Sequence, residues 1–123
     1  MSELSDFNKS QTVKFFEQVF NRKDYDVVAD MLNPNYKFNG VPTSAADTIA
    51  WAKGLHQKFP DLHFTIETIL GEDEKVALRW RMNVTDPASG KKGYISGTNI
   101  LVFVNGQALT NDQAGGSQFV PQG

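Results

Sequence analysis

"LHFTIETILGEDEKVALRWRMNV" spans residues 62–84, and its period decides the fold. In the second half Val76, Leu78, Trp80, Met82 and Val84 alternate with a face carrying Arg79 and Arg81. A period of two puts successive side chains on opposite faces of a strand, one apolar and one polar. The first half repeats the pattern, with Leu62, Phe64 and Ile66 set against His63, Thr65 and Glu67. "GEDE" (71–74) is the tight turn between the two strands.

The same reading extends toward the C-terminus. "DPASGKKG" (86–93) is a longer hairpin loop, and "YISGTNILVFV" (94–104) is the next strand. Its second half is apolar on both faces, with Ile100, Val102 and Val104 on one and Leu101 and Phe103 on the other. Asn105-Gly106 is a strong hairpin signal, because both residues tolerate the positive φ that tight hairpins need. "QALTNDQ" (107–113) is the returning strand.

Toward the N-terminus the period changes. In "TVKFFEQVFN" (12–21) Val13, Phe16, Val19 and Phe20 recur at helical spacing, and Phe15 widens the stripe. A short second helix places Val27, Val28, Met31 and Leu32 on one face and ends at Pro34. "YKFNG" (36–40) is a short extended piece. Ser44 and Asp47 form the N-cap pair of a third helix, which turns Ile49, Ala52, Leu55, His56 and Phe59 inward and stops at Pro60. Helices followed by hairpin-connected strands make an α+β domain, with three helices packed on one face of a curved, mainly antiparallel sheet. A single domain over 1–123 is expected, with residues 1–9 flexible and 115–123 an irregular tail.

Composition narrows the function. Hydrophobic residues make up 40% and charged residues 21%, which suits a soluble globular chain with a real core. The net charge is −2 and the twelve Lys and Arg are scattered, so no nucleic-acid surface is expected. With no cysteine there is neither a disulfide nor a thiolate nucleophile. "MSELSDFNKS" (1–10) lacks the apolar segment of a signal peptide and no run reaches membrane-spanning length, so a cytoplasmic location is expected. The sequon Asn83-Val84-Thr85 would matter only in a secreted protein. His56 and His63 lie in different settings without a carboxylate motif, so no metal site is expected. No G-x-S-x-G elbow and no phosphate-cradling glycine loop occur, and no cofactor is implied.

"VKFFEQVFNRKDYDVVADMLNPNYKFNG" (13–40), "FPDLHFTIETIL" (59–70), "EKVALRWRMNVT" (74–85) and "VNGQALTNDQ" (104–113) together resemble a SnoaL-like, polyketide cyclase-like protein of the nuclear transport factor 2-like superfamily. The resemblance runs from about Val13 to Gln113. It implies a cone: a bent sheet around helices, enclosing a mostly apolar pocket, with a homodimer formed through the outer sheet face. It also implies a cofactor-independent reaction by proton transfer, as in cyclases, isomerases, dehydratases and epoxide hydrolases, although some members are not catalytic. In SnoaL-like cyclases the acid/base is an Asp late in the last strand. Here the corresponding ending is "GQALTNDQAGG" (106–116), in which Asp112 is the only carboxylate and Gly116 falls where an Asp is common. Asn99 occupies a family position that is often polar, and Asn39 stands where isomerase-like members carry their base.

Asp112 is therefore the candidate acid/base, with Asn99 and Gln113 holding or polarising a substrate oxygen. An apolar wall would raise a carboxylic acid's pKa into the range useful for proton transfer. The candidate substrate wall is Trp80, Asn39, Tyr36, Phe64, Met82, Trp51 and Phe16. One difficulty is visible in the sequence: strict alternation sends Asp112 and Gln113 to opposite faces, unless a bulge near "AGG" (114–116) intervenes. Two readings stay open. One is an enzyme acting on a small, apolar, oxygenated molecule; the other is a non-catalytic pocket domain or dimeric adaptor.

Overall fold

The computed structural model describes residues 3–122 of the chain. The elements are α1 (Glu3–Phe16), a π-helical turn (Glu17–Asn21), a 3-10 turn (Tyr25–Val27), α2 (Val28–Met31), β1 (Leu32–Phe38), β2 (Val41–Pro42) and α3 (Ala45–Lys58). Four long strands follow: β3 (His63–Glu72), β4 (Lys75–Thr85), β5 (Lys92–Val104) and β6 (Gln107–Pro121). The helices pack on a six-stranded mixed sheet of order β2-β1-β6-β5-β4-β3, in which β1 runs parallel to β6 and every other pair is antiparallel. Among the described residues no helix is long and apolar enough to cross a membrane.

The alternation in β4 holds along its length: Val76, Leu78, Trp80, Met82 and Val84 are buried. In β3 it holds only to Ile66, because a bulge at Glu67 shifts the register before Thr68 and turns Ile69 inward and Leu70 outward. The hairpin at Asn105-Gly106 has φ of 51° and 78°, the left-handed pair expected of it. Ser44 and Asp47 form a complete capping box at the start of α3.

Four expectations need correction. Residues 3–9 are not a loose segment but the start of α1. The helix was hidden because its buried stripe, Ser5, Asn8, Thr12 and Phe16, has helical spacing but is mostly polar. Val13, assigned to the inward stripe, is 43% exposed. The second helix ends at Met31, and Leu32 already opens β1, so Tyr36–Phe38 of "YKFNG" end a full strand inside the sheet and Asn39-Gly40 form the turn after it. The tail is also regular: residues 115–121 continue β6, and a bulge between its pairings with Ile95 and Gly97 absorbs the extra residues. Residues 1, 2 and 123 lie outside the described residues.

Asn21 fastens the helical layer to the sheet, and His56 ties α3 to the helical turns beside it. Phe64 sits on the edge strand β3, and Asn21 satisfies both of its backbone groups: Phe64 N donates to Asn21 Oδ1 at 2.7 Å, and Asn21 Nδ2 donates to Phe64 O at 2.9 Å. His56 Nε2 lies 2.8 Å from the Phe20 carbonyl, which can only accept, so that nitrogen carries the proton. Nδ1 then accepts from the Tyr25 hydroxyl at 2.7 Å. With Asn21 and His56 in place, the Phe64 ring stacks on Phe16 (centroids 4.7 Å) and on Phe20 (5.2 Å), and Trp80 lies 4.7 Å from Phe64.

Candidate functional site

A partly open cavity of about 220 Å³ lies between α3, the α1–π-helical segment and the inner face of the sheet. Its walls are mainly aromatic: Phe15, Phe16, Phe20, Phe38, Phe64, Trp80 and Trp51, with Leu55 and Met82. An apolar cavity of roughly 150 Å³ holds benzene, so this one has room for a flat molecule of about two rings. Trp51, 51% exposed, stands on the solvent side, where Thr43, Asp47 and Thr48 also line the cavity.

The polar groups on the sheet wall of the cavity come from four strands. Asn99 on β5 faces Gln113 on β6 directly across the ladder, and Leu101 faces Asn111 one step along. Asn99 is 2% exposed and Asn111 8%. The Trp80 indole N–H donates to Asn99 Oδ1 at 2.6 Å. Asn99 Nδ2 donates to Asn111 Oδ1 at 2.7 Å and, over a longer 3.4 Å, to Gln113 Oε1. The Asn111 side chain also acts on the buried Tyr36 phenol of β1, holding its pKa down against the effect of burial. Since the Asn111 oxygen faces Asn99, its amide nitrogen is the group that meets Tyr36. Two glycines make this arrangement fit. A Cβ on Gly97 would lie 2.5 Å from the Trp80 ring, and one on Gly116 would lie 2.5 Å from Gln113 Nε2.

The expected site residues divide into three groups. Trp80, Tyr36, Phe64, Met82, Trp51, Phe16, Asn99 and Gln113 all line the cavity. Asn39 does not. At a φ of 49° it follows β1, and it ties down β6: Asn39 N donates to Asn111 O at 2.9 Å, and Asn39 Oδ1 accepts from Gln113 N at 2.7 Å. It holds the strand that carries the polar cluster. Asp112 is the main correction. It pairs with Ile100, is exposed, and stands on the outer face of the sheet rather than in the cavity. The ladder is unbroken from Thr110 to Gly115, so alternation is strictly obeyed there; the bulge comes only after Gly115. By the same parity Asn111 shares a face with Gln113, and that was the available signal for Asn111. Thr43, Asp47 and Thr48 were also missed, because loop and helix geometry brings them to the opening, and Phe38, because its place in β1 depends on the long-range pairing with β6.

Two titratable side chains line the cavity, Tyr36 and Asp47. Burial is the larger influence on Tyr36 and raises its phenol above the ordinary 10.0, while the Asn111 hydrogen bond lowers it. The phenol is therefore a neutral O–H donor at physiological pH. Because the folded value exceeds the unfolded one, folding stability should be intact below pH about 10 and fall as pH rises through the folded value. Urea titrations between about pH 8 and 11 should show a smaller loss in Tyr36→Phe than in wild type. Parallel curves for the two proteins would refute this.

An α+β architecture whose sheet and helices enclose an aromatic cavity with an amide cluster defines the class, a domain of the nuclear transport factor 2-like fold. Solved structures share it at low identity. A SnoaL-like polyketide cyclase from Agrobacterium tumefaciens superposes at TM-score 0.79 with 14% identity, covering 89% of this chain and 91% of that one. A protein from Acidithiobacillus ferrooxidans, provisionally assigned as a polyketide cyclase, gives 0.78 with 20% identity and covers 95% and 92%. AclR from Streptomyces galilaeus, provisionally assigned as a hydroxylase, gives 0.77 with 20% identity and covers 93% and 81%. The sequence profile of the SnoaL-like polyketide cyclases matches residues 10–112, and the chain belongs to that family. No curated protein matches the sequence.

Proposed function

We propose that the chain takes a small, flat, apolar carbonyl compound into this cavity and polarises its carbonyl toward the enol, a cyclase- or isomerase-type activity without a cofactor. The observation that carries the reading is the Tyr36 hydroxyl. It is buried, neutral, and accepts from Asn111, so its proton is free to meet a ligand oxygen. A pre-oriented donor in an apolar site stabilises developing negative charge far more than the same donor in water. Proton traffic at the neighbouring carbon would fall to Asp47, the one carboxylate among the lining residues. The second reading, binding without turnover, is favoured by the commitment of Asp47 to the α3 capping box, where Ser44 N donates to Oδ2 at 3.4 Å.

The test is 1-tetralone in D2O, with binding followed by tryptophan fluorescence and α-hydrogen exchange by NMR. Binding with accelerated exchange supports the enzyme; binding with exchange at the solvent rate leaves the pocket-domain reading. Asp112→Asn should match wild type in both measurements, and Asp47→Asn should lose about hundredfold or more in exchange, as expected for a general base. A large loss in Asp112→Asn would defeat the proposed site.

We also propose a homodimer through the outer sheet face. Leu70, Ala77, Ile100 and Asp112 form one cross-strand row there, with Leu70 65% and Ile100 54% exposed. Sedimentation at micromolar concentration should give twice the chain mass, and Ile100→Glu should give a monomer. A wild-type monomer would rule the dimer out.

A further inference from the structure

Asn99 lines the cavity, yet its hydrogen-bonding groups are turned to neighbouring side chains. Its oxygen accepts from Trp80, and its nitrogen donates to Asn111 and Gln113. An isolated amide can turn over and present either its oxygen or its nitrogen, so a fixed partner must choose. Here the choice begins at the indole. Its N–H can only donate, so the Asn99 oxygen must face it and the Asn99 nitrogen must face the other way. Both protons of that nitrogen then point at Asn111 and Gln113, which answer with their oxygens. Asn111 is left with its nitrogen toward Tyr36, and Gln113 with its nitrogen beside Gly116 at the cavity wall.

The geometry points to Asn99 as the residue that sets the hydrogen-bond polarity of the cavity, making its sheet wall offer Tyr36 O–H and Gln113 N–H donors to a ligand oxygen that bears lone pairs and no proton. The inference rests on the ligand-pocket reading above and deepens it. Asn99 acts through its neighbours, as a positioning residue that determines specificity. The matching ligand head is a ketone, quinone or enolate oxygen. A hydroxyl in the same place leaves its own proton without an acceptor, a mismatch of roughly tenfold in affinity.

Paired calorimetric titrations with 1-tetralone and racemic 1-tetralol at about pH 8 test this, since the two probes share a two-ring frame and differ at the oxygen. Wild type should prefer the ketone by roughly tenfold. Asn99→Asp keeps the side-chain shape but can only accept, so Asn111 and Gln113 turn their nitrogens to it and their oxygens to the cavity. The ketone preference should vanish or reverse. Gln113→Glu, at a less buried position, replaces one donor by an acceptor and should weaken the ketone selectively. It carries the test should Asn99→Asp fail to fold. Equal affinities in wild type, or an unchanged preference in the folded variants, would overturn the polarity assignment while leaving the pocket in place. Binding of neither probe would overturn the pocket reading and this inference together.

Discussion

Trp80→Ala should lose about 3–5 kcal/mol of folding stability, the range for removing a large buried aromatic. Against a typical total of about 5–15 kcal/mol, that is a large share. Three effects act together. The indole is buried and stacks against Phe64, which itself stacks on Phe16 and Phe20, so its removal opens the centre of the aromatic wall. It lies over Gly97 on the neighbouring strand, where no side chain can refill the space. It also donates to Asn99, whose buried oxygen would be left without its partner. Gly97→Ala is the companion experiment. The added methyl would overlap the indole ring, and the cost should be smaller, about 1–3 kcal/mol, because the ring is displaced rather than lost. Urea denaturation measures both. A loss below about 1 kcal/mol in Trp80→Ala would show that this wall is not part of the stabilising core.

Tyr36→Phe should lower α-hydrogen exchange of a bound two-ring ketone by about a hundredfold or more, the effect of deleting one oxyanion donor. Ketone affinity should fall less, because the interaction is strongest with the developing enolate and weaker with the neutral carbonyl. Folding should suffer modestly, by about 1–3 kcal/mol, since the Asn111 nitrogen loses its acceptor. Single-turnover exchange and binding measured on the same variant separate these effects. Equal losses in affinity and exchange would assign Tyr36 to ground-state binding alone and remove the argument for enol stabilisation.

Strand alternation over residues 62–66 and 76–84, the Asn105-Gly106 turn and the Ser44–Asp47 cap were legible because each depends on neighbours along the chain. The buried stripe of α1 was not. Ser5, Asn8 and Thr12 face the sheet although they are polar, and a hydrophobic pattern cannot report that. Neither could local reading place β1 beside β6, a parallel pairing between segments some seventy residues apart. The aromatic wall was partly readable, since Phe64, Trp80 and Met82 follow from strand parity and Phe16 from helical spacing.

The sequence by itself determined the α+β class, the inward face of β4 and, by parity, that Asp112 and Gln113 point to opposite faces of an unbulged strand. It did so because backbone geometry repeats every two residues in a strand and about every 3.6 in a helix. Tertiary structure alone decided that Asp112 stands outside the cavity, because the ladder runs without a register shift from Thr110 to Gly115 and the bulge that follows lies beyond the acid. It also decided which way the amides of Asn99, Asn111 and Gln113 face. That depends on a single obligate donor, the Trp80 indole, lying over a glycine on the adjacent strand: a contact set by register and packing across the sheet, where the linear order carries no trace of it.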